Sequence, residues 1–194
     1  MTTAHDIQTD ALVIDGLSYY CDGNTEALRA GGVDALNVTV CHFEADYRET
    51  CDRIAGWLAR TRQPDSEWRL IEKGSDFSAA KKAGQIGIVM GWQNMRPVED
   101  DLDRLVMFHK LGVRIMQITY NYRNFLGDGC LETDGAGLSV LGRDAVRLMN
   151  DLGIAIDLSH VGERTSFDAI ELSTKPVLAT HANAKALVDL ARNK

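Results

Sequence analysis

Short apolar runs alternate with amphipathic stretches along the whole chain. After a polar leader, residues 11–16 (Ala-Leu-Val-Ile-Asp-Gly) predict a first strand, and residues 25–30 a short helix that Gly31-Gly32 stops. The β-branched stretch 33–41 reads as a second strand. Tyr47, Cys51, Ile54, Trp57 and Leu58 then recur at three- and four-residue steps, predicting an amphipathic helix over 44–61 that Pro64 closes. A small extra strand is expected at 68–73, followed by a helix over 77–83 capped by Asp76 and ended by Gly84. Residues 86–92 (Ile-Gly-Ile-Val-Met-Gly-Trp) form the third principal strand, and Leu102, Leu105, Val106, Phe108 and Leu111 mark the next helix. A fourth strand follows at 113–120, then a long loop at 121–137 and a helix at 141–152 with Ala145, Leu148 and Met149 inward. Loops of that length in a compact domain are often functional.

The most informative pattern comes last. Residues 153–160 and 175–181 are two apolar runs, each ending in a histidine, His160 and His181. A short apolar run bounded by Gly or Pro reads as a buried strand. The stretch between them suits one short helix, so the strands should be parallel and both histidines should emerge at the same end of the sheet. Imidazoles converging at the carboxyl ends of parallel strands are placed as barrel enzymes place metal ligands. A last helix is expected over 184–191. Strand and helix alternate six times, which predicts an α/β fold with a parallel sheet. We read residues 1–194 as a single, partial barrel domain: a TIM-type (β/α)8 barrel of which about six β/α units are present. An open sheet flank would need cover, and a homodimer is one way to supply it.

Composition narrows the function classes. A net charge of −7 argues against a nucleic-acid partner or an anionic membrane surface. No run reaches the ~20 apolar residues of a bilayer span, and the start of the chain shows no apolar signal segment. Cys21, Cys41, Cys51 and Cys130 have no metal or disulfide spacing, so reduced thiols in a cytoplasmic protein are the simpler expectation. No Gly-x-Ser-x-Gly elbow or phosphate-cradling loop occurs.

Several stretches together resemble the renal (membrane) dipeptidase family of zinc peptidases. They are Asp157-Leu158-Ser159-His160-Val161, residues 176–181 with Ala182-Asn183-Ala184, Leu111-Gly112-Val113-Arg114 with Thr119, Gly137-Leu138 with Gly142-Arg143, and Arg192-Asn193. The resemblance implies a (β/α)8 barrel with two bridged metal ions that hydrolyses dipeptides and related amides through a metal-bound hydroxide. It also implies that His160 and His181 ligate one metal and that Arg192 holds the substrate carboxylate. The family's first-strand His-x-Asp ligands fall on Leu17 and Tyr19, its bridging carboxylate on Gln93, and a substrate-facing histidine on Tyr120. Leucine has no donor atom, and glutamine cannot offset two close dications.

The expectation is therefore a membrane-dipeptidase-like metallohydrolase acting on a dipeptide or other small carboxylate-bearing amide. Zinc or another divalent metal would be held mononuclear, or at reduced occupancy, by His160, His181 and one of Asp128, Cys130, Glu132, Cys21 or Asp22; a site with no metal is the remaining possibility. Tyr120, Asn121 and Gln93, at strand ends, are candidate substrate-binding residues beside Arg192. Asp157 is a candidate partner for a neighbouring histidine. Two alternatives remain, a catalytically silent small-molecule-binding homologue and an incomplete fragment of a longer enzyme.

Overall fold

The computed structural model describes residues 3–19 and 25–194. Its framework is one parallel sheet. The strands are β1 (Ile14–Ser18), β2 (Ala35–Thr39), β3 (Trp68–Leu70), β4 (Ile86–Trp92), β5 (Val113–Gln117) and β6 (Ala155–Asp157). Their order is β1-β2-β4-β5-β6, with β3 also paired to β4. Two strands share one edge of β4, β3 along Ile86–Ile88 and β5 along Met90–Trp92. The helices are α1 (Ala4–Asp10), α2 (Thr25–Ala30), α3 (Tyr47–Thr61), α4 (Gly74–Lys82), α5 (Asp103–Lys110), α6 (Val140–Leu152) and α7 (Glu163–Leu172). The strand–helix–strand alternation explains the parallel pairing, because a parallel neighbour needs a crossover.

Every residue of β2 and β4 is buried. That suits strands covered on both faces and explains their unbroken apolar runs. Leu36, Ile88, Met90 and Met116 meet Phe108 of α5 and Met149 of α6 in one core. β1 is different: Ile14 is 46% exposed, as on an open edge. The sheet nonetheless curls strongly, since a Cβ built on Gly16 of β1 would lie 3.0 Å from the carbonyl oxygen of Thr180.

Three expectations need correction. The second histidine-tipped run is no regular strand; it joins the sheet through one bridge, Asp157 to Leu178, and Leu178 is 36% exposed. Residues 184–191 form turns rather than a helix. Leu187 there is 85% exposed, so no packed apolar face stabilises a helix, and Lys185 N–H bonds the carbonyl of Lys194 instead (2.8 Å). Asp76 lies inside α4, where its carboxylate accepts from the N–H groups of Glu72 and Lys73, both at 3.0 Å.

The long loop 121–138 is tightly held. Asn124 donates to Asn94 Oδ1 (2.9 Å) and the Ile118 carbonyl (2.8 Å), and accepts from Leu126 N–H (2.8 Å). Buried Asp168 of α7 accepts from Leu138 N–H at 3.0 Å and pairs with Arg143 and Arg164. Gly142, in the first turn of α6, crosses this loop so closely that a Cβ would lie 1.9 Å from the Leu126 carbonyl oxygen. Only glycine permits that approach.

Candidate functional site

His160 and His181 converge at the carboxyl end of the sheet, their ring centroids 4.9 Å apart. His160 follows β6 in a left-handed conformation, φ 60°, and Asn121, after β5, has φ 63°. Such backbone geometry is uncommon outside glycine and clusters at functional sites. The two residues hold one another: His160 Nδ1 lies 2.7 Å from Asn121 Oδ1, and the carbonyls of both accept N–H bonds from the 130–131 segment. One face of His160 stacks on Tyr120 at 4.1 Å, and Tyr120 stacks in turn on Phe43 at 4.0 Å.

Hydrogen-bond polarity fixes the tautomers. Asn121 Oδ1 only accepts, so His160 Nδ1 carries the proton and Nε2 presents a lone pair. Arg192 Nη2 faces that lone pair at 3.3 Å and donates to the His181 carbonyl at 2.7 Å. Burial, then the Arg192 guanidinium and His181, push His160 down to about 4, so the ring is neutral at ordinary pH. On the other side, Thr180 Oγ1 donates to Asp157 Oδ2 (2.7 Å). With its proton committed there, the hydroxyl accepts from His181 Nδ1 at 2.8 Å. His181 Nε2 is then a bare lone pair, buried and without a hydrogen-bond partner among the described residues. Burial lowers the His181 pKa, with Asp157 opposing that shift.

Asp157 itself is buried; its Oδ1 accepts from Ser159 N–H (3.0 Å), Ser159 Oγ (2.8 Å) and Thr180 N–H (3.2 Å). It supports His181 through Thr180, its own Oδ2 standing 3.9 Å from His181 Nδ1. Gln93 is buried and donates to Thr39 Oγ1 (3.1 Å), while its carbonyl accepts from Gln117 Nε2 (2.5 Å). Tyr19 interacts with both Gln93 and Tyr120, and Leu17 lies in β1.

The metal expectation meets a mismatch. Catalytic zinc takes three protein ligands and a water. Among the described residues, no group of three or more His, Cys, Asp or Glu side chains is placed to hold a metal ion. Asp128 is buried and engaged by Arg123 and the N–H of Ala136; Glu132 accepts from Arg123 N–H at 2.8 Å. The Cys130 thiol faces Asn121 Oδ1 at 3.4 Å, and burial raises its pKa. Cys21 and Asp22 lie outside the described residues. The orphaned lone pair of His181 suits a cation, but that of His160 already faces a guanidinium. The described side chains therefore do not fit a zinc centre.

Thr180, Ser159, Thr39 and Phe43 were not foreseen from sequence. The one available signal was the position of Thr180, directly before a strand-end histidine. A cleft of about 550 Å³ opens on the far side of Tyr120, lined by Phe43, Asn94, Arg96 and Tyr122, and contains neither histidine nor Arg192. Among the described residues, no helix is long and apolar enough to cross a membrane. Cys41, Cys51 and Cys130 are free thiols.

Comparison with known proteins gives a consistent picture. The family model for membrane dipeptidase (peptidase family M19) matches residues 4–193. Dipeptidase tcpJ of Claviceps purpurea is 34% identical over 126 residues, 64% of this chain and 30% of the relative. An uncharacterized dipeptidase of Schizosaccharomyces pombe is 30% identical over 151 residues, 75% of this chain and 36% of the relative. The chain thus spans about a third of the length of these curated relatives. Among solved structures, an amidohydrolase from Pseudomonas aeruginosa superposes with a TM-score of 0.90 at 37% identity, covering 98% of this chain and 58% of that one. A metallo peptidase from Rhodobacter sphaeroides, liganded with a phosphinate mimic of the dipeptide L-Ala-D-Ala, shares the fold at 22% identity and a TM-score of 0.82, covering 94% and 68%. The sheet described above is accordingly part of a TIM-type (β/α)8 barrel.

Proposed function

The chain belongs to the membrane dipeptidase family (peptidase family M19), and from that premise we propose that its site takes a dipeptide or another small carboxylate-bearing amide. The observation that carries this reading is the placement of Arg192 between the two histidines. Its Nη2 is used there, while Nε and Nη1 have no hydrogen-bond partner among the described residues and suit a carboxylate. A guanidinium fork suits that group, since two parallel N–H bonds match its two oxygens. Tyr120 and Asn121 touch the same His160, by ring stacking and by a hydrogen bond, while Gln93 is buried behind them on Thr39. Tyr120 has its ring stacked between Phe43 and His160, and its hydroxyl meets that of Tyr19. A metal-activated water, the finer expectation from the family, would need ligands that the described residues do not supply. Recognition of the substrate stands without them.

The test pairs binding with turnover. The protein is incubated with a panel of dipeptides and N-acylated amino acids, with and without added zinc or manganese, while heat of binding and release of amino acid are followed. Binding that Arg192→Ala weakens at least tenfold supports the proposal; no binding by any member of the panel sinks it. Zinc-dependent release would identify a metallohydrolase. A second reading, a binding homologue without turnover, is favoured by Leu17, Tyr19 and Gln93 at the positions where the family carries ligands. Binding with no release under any metal would support that one.

A further inference from the structure

We propose that the cleft on the far side of Tyr120 is a second binding site, one that takes a small aromatic monocarboxylate. This goes beyond the ligand proposed above, because the cleft contains neither histidine nor Arg192, and the stacked rings of Phe43, Tyr120 and His160 stand between the two places. It opens at the carboxyl ends of β2, β4 and β5, where barrels of this kind build their sites. Its volume, about 550 Å³, is that of a small-molecule pocket. The floor is rigid. Asn94 donates to the Phe43 carbonyl (2.9 Å) and accepts from Asn124 Nδ2 (2.9 Å), and Asn124 reaches on to the Ile118 carbonyl (2.8 Å). Those bonds tie the three strand ends together and commit both amides to the protein, so ligand recognition falls to the other lining side chains.

Two of those side chains are aromatic and unpacked: Tyr122 is 64% exposed and Phe125 62%. They flank Asn124, whose hydrogen bonds hold the loop, so both rings stand in water on a fixed backbone. A planar ligand stacked on them removes that apolar surface from water. The charge it should carry follows from the ionic groups around the cleft. Arg96 opens the turn Arg96–Val98, in which Pro97 and Val98 are buried, and its exposed guanidinium has no hydrogen-bond or ion-pair partner among the described residues. Arg123 lines the cleft too, but its guanidinium is committed to Asp128. Glu44, also lining and exposed, opposes a second negative charge. A free guanidinium grips one carboxylate through two parallel N–H bonds, whereas a dianion would meet Glu44. An aromatic ring bearing a single carboxylate satisfies the rings, Arg96 and Glu44 together.

The experiment titrates indole-3-acetate into the full chain while 1H–15N amide shifts are followed. Saturable shifts are expected, largest at residues 94–96 and 122–125. Arg96→Ala should weaken binding about tenfold or more, and indole-3-ethanol, with a hydroxyl in place of the carboxylate, should bind the parent protein as weakly. Replacing Tyr122 and Phe125 together by alanine should weaken it about tenfold as well, while Glu44→Gln should tighten it about twofold. All four side chains are exposed, and dispersed amide spectra in each variant distinguish lost binding from lost fold. Arg192→Ala should leave indole-3-acetate binding unchanged, which separates this cleft from the site proposed above. No saturable shift, equal affinity for indole-3-ethanol, or tighter binding of the cationic analogue tryptamine would overturn the inference. So would shifts centred on His160 and His181 that Arg192→Ala abolishes, a result that would leave the earlier proposal standing. Failure of the dipeptide panel, in turn, would remove that proposal and not this one.

Discussion

Replacing Asp157 by asparagine should reverse the polarity of the hydrogen-bond chain behind His181. The carboxylate is buried and accepts four bonds, from Ser159 N–H, Ser159 Oγ and Thr180 N–H on Oδ1, and from Thr180 Oγ1 on Oδ2. Asparagine matches its shape. The three donors on Oδ1 keep the amide oxygen facing them, which turns the Nδ2 donor toward Thr180. The threonine hydroxyl must then accept from Nδ2 and donate to His181 Nδ1, and the imidazole proton moves to Nε2. Bonds to a charged acceptor contribute about 1.5–3 kcal/mol and neutral ones about 0.5–1.5 kcal/mol, so four weakened bonds lose roughly 4–6 kcal/mol. Relief from burying a charge offsets part of that. A net destabilisation of about 1–3 kcal/mol is expected, read from urea unfolding by linear extrapolation. The same sample, by long-range 1H–15N spectroscopy, should show Nε2 protonated in Asp157→Asn and bare in the parent. A change below about 0.5 kcal/mol, or a His181 tautomer that stays as it is, would refute the reasoning.

Other perturbations probe the supports of the site. Gly142→Ala drives a Cβ against the Leu126 carbonyl oxygen, 1.9 Å away, and should cost at least about 2 kcal/mol in urea unfolding; a neutral result would show that the loop can move aside. Asp168→Asn keeps an acceptor for Leu138 N–H but weakens the pairs with Arg143 and Arg164, so hydrogen exchange across 121–138 should accelerate while the β4 amides stay protected. His160, held near 4 when folded against an ordinary 6.5, stays neutral in the folded protein and takes up a proton on unfolding below 6.5. Its contribution is fully present above pH 6.5 and is lost as pH falls toward 4, an upper bound on the order of 3 kcal/mol. His160→Gln, which cannot titrate, should flatten the stability-against-pH curve in that window; an unchanged slope would contradict the burial argument.

How much of this was legible in sequence depends on whether a residue's role is local. β4 was readable because a strand covered on both faces must be apolar along its whole length. The amphipathic period of α3 and the helix α6 ahead of left-handed Gly153 were equally plain, whereas its cap, Ser139 accepting from Gly142 N–H at 2.9 Å, was not singled out. The meeting of His160 and His181 followed from parallel strands, although the second run joins the sheet by a single bridge. Residues 184–191 misled because an amphipathic pattern forms a helix only when something packs on its apolar face. Asp128 looked available as a ligand until folding placed it with Arg123 and Ala136 N–H. Thr180 escaped notice because its part depends on which way one hydroxyl points, a property of three dimensions alone.

The most direct test of the account is anomalous diffraction from a crystal soaked with zinc chloride and N-acetylglycine together. The carboxylate is expected on Arg192 at about 2.8–3.0 Å, with no anomalous peak bonded to both rings. A strong peak about 2.1 Å from both Nε2 atoms, with Arg192 swung away from His160, would contradict it.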